Sequence, residues 1–402
     1  MLRRWIGLMK TLATVGAAAL LLLLMAACGA DERGVGDQPP ATPQPPATPR
    51  PAAAAPVAPS VPAAAPAAPP TPVATATTAP LSAATPTPNP VTQALKGVPG
   101  IVDPTNLGWP RVIETDQGRV TLKSPPQRIH TLSLGHDEII VALIGAKRIA
   151  GIGSFTADPV YSNVAAEVKD LPKVKRDAEA ILGLSPDIVI ASKFTGQDLL
   201  TRIKGAGVPV ARTNLESSSL GNIPNILLLG YMLGAEDRAG QLVAEIRKRI
   251  DAVDARVRDV PAASRVRALS IAKFADTIDA AGAASTEGGI VESAGAVNAA
   301  AAVGVYGHQT ISLESIAAMR PDVIILTQPA DSGGQKFMAE LYAAPALQDV
   351  PAVKSKRIVF GDSRYYTTLS HWNVRGIEES AKLFYPDLFK DMTFKDFQPY
   401  GG

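Results

Sequence analysis

The sequence predicts an α/β protein of two doubly wound parallel-sheet lobes joined by one long α-helix, with a ligand cleft between the lobes. Three observations carry this expectation. The first is an internal repeat: DAEAILGLSPDIVIA, Asp177 to Ala191, aligns without a gap on SLESIAAMRPDVIIL, Ser312 to Leu326, so that Glu179, Ile181, Pro186 and Asp187 stand against Glu314, Ile316, Pro321 and Asp322. Each copy reads as a short helix that stops at Pro-Asp and feeds an apolar strand, because Pro cannot continue a helix and Ile-Val-Ile suits a strand buried on both faces. A repeat of this kind implies two similar α/β halves. The second observation is the alternation of strand and helix patterns around each copy, which implies parallel sheets. The third is the stretch Ala235 to Arg258, where Leu242, Ile246, Ile250, Val253 and Val257 recur at helical spacing among charges with no strand attached.

Taken in order, the chain of 402 residues opens on Arg3, Arg4 and Lys10, followed by an apolar run from Leu12 to Ala27. That order matches a secretory signal peptide over residues 1–27. The tail Leu24-Met25-Ala26-Ala27-Cys28 resembles a bacterial lipobox, so Cys28 is the expected lipidation site and membrane anchor. Because Cys28 is the only cysteine, disulfides within the chain and Cys-based metal sites are excluded. Residues 28–98 form the expected tether: from Gln38 onward they are almost wholly Pro, Ala, Thr, Val and Ser, a composition with no means of burying a core. At about 3.1 Å per polyproline-like residue such a segment reaches more than about 100 Å. The formal net charge of +2, without a basic cluster interleaved with aromatics, gives no case for nucleic acid. No second apolar run is long enough to span a bilayer.

Residues 99–234 are the expected N-terminal lobe. A leading hairpin pairs Trp109 to Ile113 with Arg119 to Leu122 across Asp116-Gln117-Gly118. Strand Ile129 to Ser133 follows, then a helix opened by Gly135-His136-Asp137-Glu138 and closed by Gly145-Ala146, and a strand from Arg148 to Ile152. After the first repeat come strand Ile188 to Ala191, a helix from Gln197 to Lys204 and a strand from Val208 to Ala211. Residues 235–258 are the linking helix. Residues 259–402 are the C-terminal lobe, with strand Val266 to Ile271, helix Gly289 to Ala294, the second repeat ending in strand Val323 to Leu326, strand Arg357 to Phe360 and a closing helix from Asn373 to Leu383.

In open α/β sheets, ligands sit beyond the carboxyl ends of the strands. That rule nominates Leu134, Gly135 and His136; Ser154 and Phe155; Ser192, Lys193 and Phe194; Gln328; and Ser363, Arg364, Tyr365 and Tyr366. Aromatics offer flat apolar faces, and Arg and Lys pair with carboxylates or phenolates. With four His in the chain and no close His pair, a bare divalent metal is disfavoured as ligand. An enzyme is not expected: there is no Gly-x-Ser-x-Gly elbow, P-loop or His-Glu-x-x-His. Gly361-Asp362-Ser363 begins like one esterase motif but continues with Arg364 rather than Leu, and Gly151-Ile152-Gly153 lacks the third Gly of a dinucleotide fingerprint.

Several segments together resemble the substrate-binding lipoproteins of ABC importers for iron siderophores, haem and cobalamin. Pro126-Gln127-Arg128-Ile129 with Leu132-Ser133 is similar to that family's first strand, Glu138-Ile139 with Ala142-Leu143 to the helix after it, and Ala294-Gly295-Ala296-Val297-Asn298 to its Gly-x-x-Asn segment. Both repeats match its pattern of Glu before Pro-Asp. The resemblance runs from Trp109 to Phe389. It implies two lobes on a relatively stiff helical hinge, with the ligand held between them by Phe155, Tyr306, His308 and the segment Arg364 to Tyr366. It also implies that Glu179 and Glu314 dock onto basic residues of a permease dimer served by ATPase subunits, and that the protein is a monomer at the extracytoplasmic face of a bacterial membrane. No cofactor is expected, the ligand itself being a metal chelate. Lys173, Lys175 and Arg176 stand where haem-binding relatives often carry a tyrosine, which favours an anionic ferric siderophore. Haem, with Tyr365 or Tyr366 as its ligand, and cobalamin are the alternatives. A sensor or adhesin lipoprotein without transport, and least of all a serine hydrolase, are the rival classes.

Overall fold

A computed structural model describes residues 89–401. The expected signal peptide, the lipidation site Cys28 and the tether as far as residue 88 lie outside the described residues. The tether ends earlier than expected. Asn89 accepts a hydrogen bond from the Val91 amide and caps helix α1 (Pro90–Leu95), and Leu95 and Val98 are buried. From Asn89 the Pro- and Ala-rich composition gives way to Asn, Gln, Leu and Lys, and Val91 and Leu95, one helical turn apart, pack on the first lobe's core.

The leading hairpin is present as β1 (Arg111–Thr115) and β2 (Gly118–Leu122), paired antiparallel. The first lobe then alternates β3 (Ile129–Thr131), α2 (Leu134–Ile144), β4 (Ile149–Gly151), α3 (Ala178–Gly183), β5 (Ile188–Ala191), α4 (Gln197–Gly205), β6 (Val210–Arg212) and α5 (Ile223–Leu233). Its sheet, in the order β4-β3-β5-β6, is parallel throughout. The linking helix α6 runs from Glu236 to Val257, and its stripe Leu242, Ile246, Val253 and Val257 is buried as the periodicity requires.

The second lobe holds β7 (Arg267–Phe274), β8 (Thr277–Ala281), α7 (Thr286–Ser293), β9 (Val297–Asn298), β10 (His308–Ile311), α8 (Leu313–Met319), β11 (Val323–Leu326), α9 (Gly334–Ala343), α10 (Pro351–Lys354), β12 (Ile358–Phe360), α11 (Ser363–Tyr366) and α12 (Asn373–Phe384). Strands β7, β9, β11 and β12 run parallel, but β8 is antiparallel to both β7 and β10. This edge departs from the parallel sheet expected. Only Ala275 and Asp276 separate the paired residues Phe274 and Thr277, and so short a connection can return the chain only antiparallel.

The two repeats are built alike, atom for atom in their main features. Ser185 and Arg320, each ahead of the Pro, adopt left-handed φ values of 49° and 48° and stop their helices. Asp187 Oδ2 accepts from the Arg128 amide at 3.1 Å and also from Gln127, while Asp322 Oδ2 accepts from the Arg267 amide at 2.8 Å. In return the Arg128 side chain donates to the Ser185 and Leu184 carbonyls, and the Arg267 side chain to the Met319 carbonyl. Cations on the last carbonyls of a helix also complement its dipole. Each Pro-Asp therefore stitches its strand to the neighbouring one. The strand faces match too: Ile188 and Ile190, like Val323 and Ile325, join one continuous core that both lobes share with α6. Val189 and Ala191, and likewise Ile324 and Leu326, face the outer core of their own lobe.

After α12 the chain crosses back over α6. Arg238 and Arg249 donate to the carbonyls of Gln398 and Lys395, Arg256 is forked onto Asp391, and Phe397 is buried.

Candidate ligand-binding cleft

In the first lobe the rim is organised by a buried carboxylate. Asp137, in the first turn of α2, accepts from Thr131 Oγ1 at 2.7 Å and from Thr156 Oγ1 at 2.6 Å, tying the end of β3 to the loop after β4. Burial, opposed by these two hydrogen bonds and assisted by the adjacent Glu138, pushes its pKa up to about 7. That loop carries Phe155, which is half-buried and meets Tyr161 edge-to-face at 5.5 Å between centroids. Lys173 bridges to Ile152 beside the same loop, and Arg176 donates to Thr195 Oγ1 just beyond β5. Lys173, Lys175 and Arg176 are exposed, and none makes an ion pair among the described residues. Lys193 is exposed above the Phe194 ring and lies 3.8 Å from Glu216.

His136 belongs to the lobe interior rather than the cleft. It is fully buried, with Nδ1 2.7 Å from Ser133 Oγ and Nε2 2.7 Å from Thr213 Oγ1, and burial pushes its pKa down to about 3. The strand-end rule names the residues that follow a strand but not the direction in which each points once a helix begins, and here the imidazole turns toward the loop after β6.

In the second lobe, His308 opens β10 and its Nε2 lies 3.0 Å from Glu287 Oε2. Burial acts to lower its pKa, but Glu287 and Asp279 outweigh burial and raise it. Tyr306, two residues earlier, is 71% exposed. Arg364 donates from Nε and Nη2 to Asp362 at 3.0 and 2.6 Å, which holds the guanidinium protonated far above any working pH, and its side chain remains 40% exposed. Its two neighbours do not line the cleft as expected. Tyr365 is buried against Trp372, stacked at 6.3 Å, and donates to Asp396; burial first, then Asp396, pushes its pKa up to about 12. Tyr366 is buried with its hydroxyl on Ser380. The reason is that residues 363–366 form a helical turn and not an extended loop, so three successive side chains point in three directions and only that of Arg364 faces outward.

The lobes touch at several places that sequence reasoning missed. Asn163 Nδ2 donates to the Arg364 carbonyl at 2.8 Å, and Ser217 Oγ donates to the Ala284 carbonyl at 2.9 Å. The one available signal was Glu138, which with Asp137 puts charge at the head of the apolar stretch of α2 and accepts from Asn163. Elsewhere, a cavity of about 550 Å³ lies beside Leu107, Arg148 and Tyr400 at the amino end of α6, away from both rims.

Glu179 and Glu314 occupy the same position in α3 and α8: exposed, in the first turn, with Asp177 and Ser312 as the respective N-caps. Neither is in an ion pair among the described residues. The backbone amide of Glu314 itself, together with the Ser312 hydroxyl, holds the Glu314 carboxyl below its ordinary value.

Residues 129–365 match the family model described as periplasmic binding protein. The chain belongs to that family. Three relatives show its range. An ABC transporter substrate-binding lipoprotein of Bacillus subtilis strain 168, YvrC, described as uncharacterized, is 25% identical over 68% of this chain and 84% of its own. A cobalamin-binding protein of Halobacterium salinarum is 27% identical over 53% of this chain and 57% of its own length. The solved structure of the periplasmic heme-binding protein RhuT from Roseiflexus sp. RS-1 is 26% identical, covers 65% of this chain and 99% of its own, and superposes with a TM-score of 0.56. As a periplasmic binding protein the chain has the two-lobed α/β fold expected, and in this member Tyr366, α12 and the returning tail lie beyond the family match.

Proposed function

We propose that this chain is the extracytoplasmic solute-binding component of an ABC importer, which captures a metal chelate between its lobes and delivers it to a permease dimer with its ATPase subunits. The observation that carries the reading is the paired placement of Glu179 and Glu314: equivalent, exposed carboxylates without an ion-pair partner among the described residues, one per lobe, on helices that end in matching Pro-Asp stitches. Two anions, one on each lobe, present a fixed spacing to a basic partner and steer its approach. Lipid attachment at Cys28 would keep the protein at the membrane, and binding without turnover is the expected activity.

For the ligand, a ferric siderophore remains our reading. It rests on Lys175 and Arg176, exposed cations of the first rim without a carboxylate partner among the described residues. Phe155 and Tyr306 would supply apolar faces. Haem is disfavoured because the hydroxyls of Tyr365 and Tyr366 are engaged inside the lobe. Cobalamin is the second reading: in the second rim His308 and Arg364 are both neutralised by carboxylates of their own lobe, which suits a ligand recognised through amides and ring faces. The test is a thermal-shift titration of the chain begun upstream of Asn89 against ferric siderophores, cobalamins and haemin, since a ligand of the folded state raises the melting temperature by mass action. A rise with ferric siderophores alone is expected; a rise with cobalamins alone would transfer the assignment to the corrinoid, and no rise with any chelate would overturn the reading.

A further inference from the structure

The carboxylate of Glu138 is buried, has no cation beside it among the described residues, and accepts four hydrogen bonds. Asn163 reaches Oε1 from its backbone amide at 2.9 Å and from Nδ2 at 2.8 Å; Thr368 Oγ1 and Ser370 Oγ reach Oε2 at 2.5 and 2.6 Å. Such a group is tolerated inside a protein only while its donors stay in place, because removing one leaves charge desolvated and unpaired. The donors come from opposite lobes. Asn163 follows β4 of the first lobe, whereas Thr368 and Ser370 follow β12 of the second, separated from Glu138 by 230 and 232 residues.

The same junction recurs in the neighbouring contacts. Asn163 Nδ2 also holds the Arg364 carbonyl, and Asn222 Nδ2 holds the Leu369 carbonyl at 3.2 Å. Asn373 donates to the Ser217 carbonyl and accepts from Ser219. At Gly135 a Cβ would stand 2.9 Å from the Leu369 carbonyl oxygen, so α2 begins with its backbone against this segment. By contrast, Ser363 is fixed to its own lobe through Thr327. The change of allegiance falls between residues 363 and 368.

We propose that Glu138 is a positioning residue for the cleft: it pins the segment 364–370 to the first lobe, forming a second, noncovalent connection between the lobes besides α6, and so sets where Arg364 stands relative to the first rim. This rests on the reading of the cleft as the ligand site, but the pin itself exists without ligand. A carboxylate that merely stabilised one lobe would bond within it. This one collects donors from both, and two of the four come through Asn163, the residue that also carries the Arg364 carbonyl.

The experiment is amide hydrogen exchange on the ligand-free full chain, comparing wild type with Glu138→Gln and with the double variant Thr368→Val, Ser370→Ala. The glutamine keeps the volume but turns a donor toward the hydroxyls or toward Asn163. The double variant leaves the carboxylate and removes its partners. Both variants are expected to raise exchange about tenfold or more in residues 364–373 and at Asn163 and Val164, leaving β7 and β11 at the wild-type rate, because local opening and global unfolding are separate processes. A uniform rise across the second lobe would mean that Glu138 only stabilises the fold, and unchanged exchange in 364–373 in a folded variant would remove the pin altogether. If Glu138→Gln does not fold, the double variant decides alone. Parallel titration with the anionic ferric enterobactin, haemin and cyanocobalamin reads the other premise. Weaker binding by the variants, about tenfold, supports positioning of the cleft; wild type that binds none of them overturns the cleft reading while the exchange result still decides the pin.

Discussion

Asp187 in the first lobe and Asp322 in the second do the same work with the same neighbours, down to the left-handed residue two places ahead of each. The rims to which their strands lead share almost nothing. The first rim carries exposed cations without carboxylate partners among the described residues, Lys173, Lys175 and Arg176; in the second, His308 and Arg364 are each spoken for by an acid of the same lobe. The contrast separates two tasks. On the proposed reading, scaffold and docking position would be repeated because a permease would meet the same carboxylate on each lobe, whereas a ligand lying between two lobes would meet each with a different face.

The strongest way to break this comparison is to reverse the repeated part. Glu179→Lys with Glu314→Lys should abolish uptake in cells while chelate affinity, measured on the purified protein, changes by less than about twofold. Uptake that survives would detach the glutamates from docking. Next in size is the buried acid of the first rim. Asp137 has a folded pKa of about 7 against an ordinary 3.8, so the folded state binds a proton that the unfolded state has lost. Stability should therefore fall as pH rises across that window, by up to about 4 kcal/mol, and level off above it. Asp137→Asn should make this slope shallower in denaturant titrations between about pH 5 and about pH 8, the remainder belonging to Glu138, whose pKa burial also raises; an unaltered slope would place the titration elsewhere. The stitches themselves should differ modestly. Asp187 serves two backbone amides and Asp322 one, so Asp187→Ala should cost about 1 to 3 kcal/mol and Asp322→Ala less, read from chemical denaturation. The smallest effect separates the rims directly. For an anionic chelate, Arg176→Ala should weaken binding by about 1 to 2 kcal/mol and Arg364→Ala by less than about 1, since Asp362 already neutralises Arg364. The opposite order would make the second rim the anion-binding one.

Much of the scaffold was legible because its signals are local. Ile188 to Ala191 and Val323 to Leu326 are strands over the very residues expected, bounded by Pro-Asp on one side and polar residues on the other. The linking helix, read from its three- and four-residue spacing, was right to within one residue at each end. Local signals failed where composition hid periodicity, as at α1, and where a hairpin took the place of a crossover, as at β8. The site was less legible. Whether a residue after a strand faces the cleft depends on the dihedral angles of the next turn, and so His136, Tyr365 and Tyr366 went inward while Arg364 and Tyr306 stayed out. Glu138, Asn163 and Ser370 meet only in the folded chain, and no periodicity in a single sequence records such a meeting.

The shared core and the returning tail also constrain the order in which the molecule can be completed. Chains are made from the amino terminus, and domains generally form as they emerge. Here the first lobe cannot finish by itself: the partners of Glu138 are Thr368 and Ser370, and those of Arg238 and Arg249 include the carbonyls of Gln398 and Lys395. Until those late residues arrive, a carboxylate designed for burial stays in water and the linking helix has one flank bare. A chain in which residues 368 to 398 have not yet joined the fold is thereby kept short of its native state.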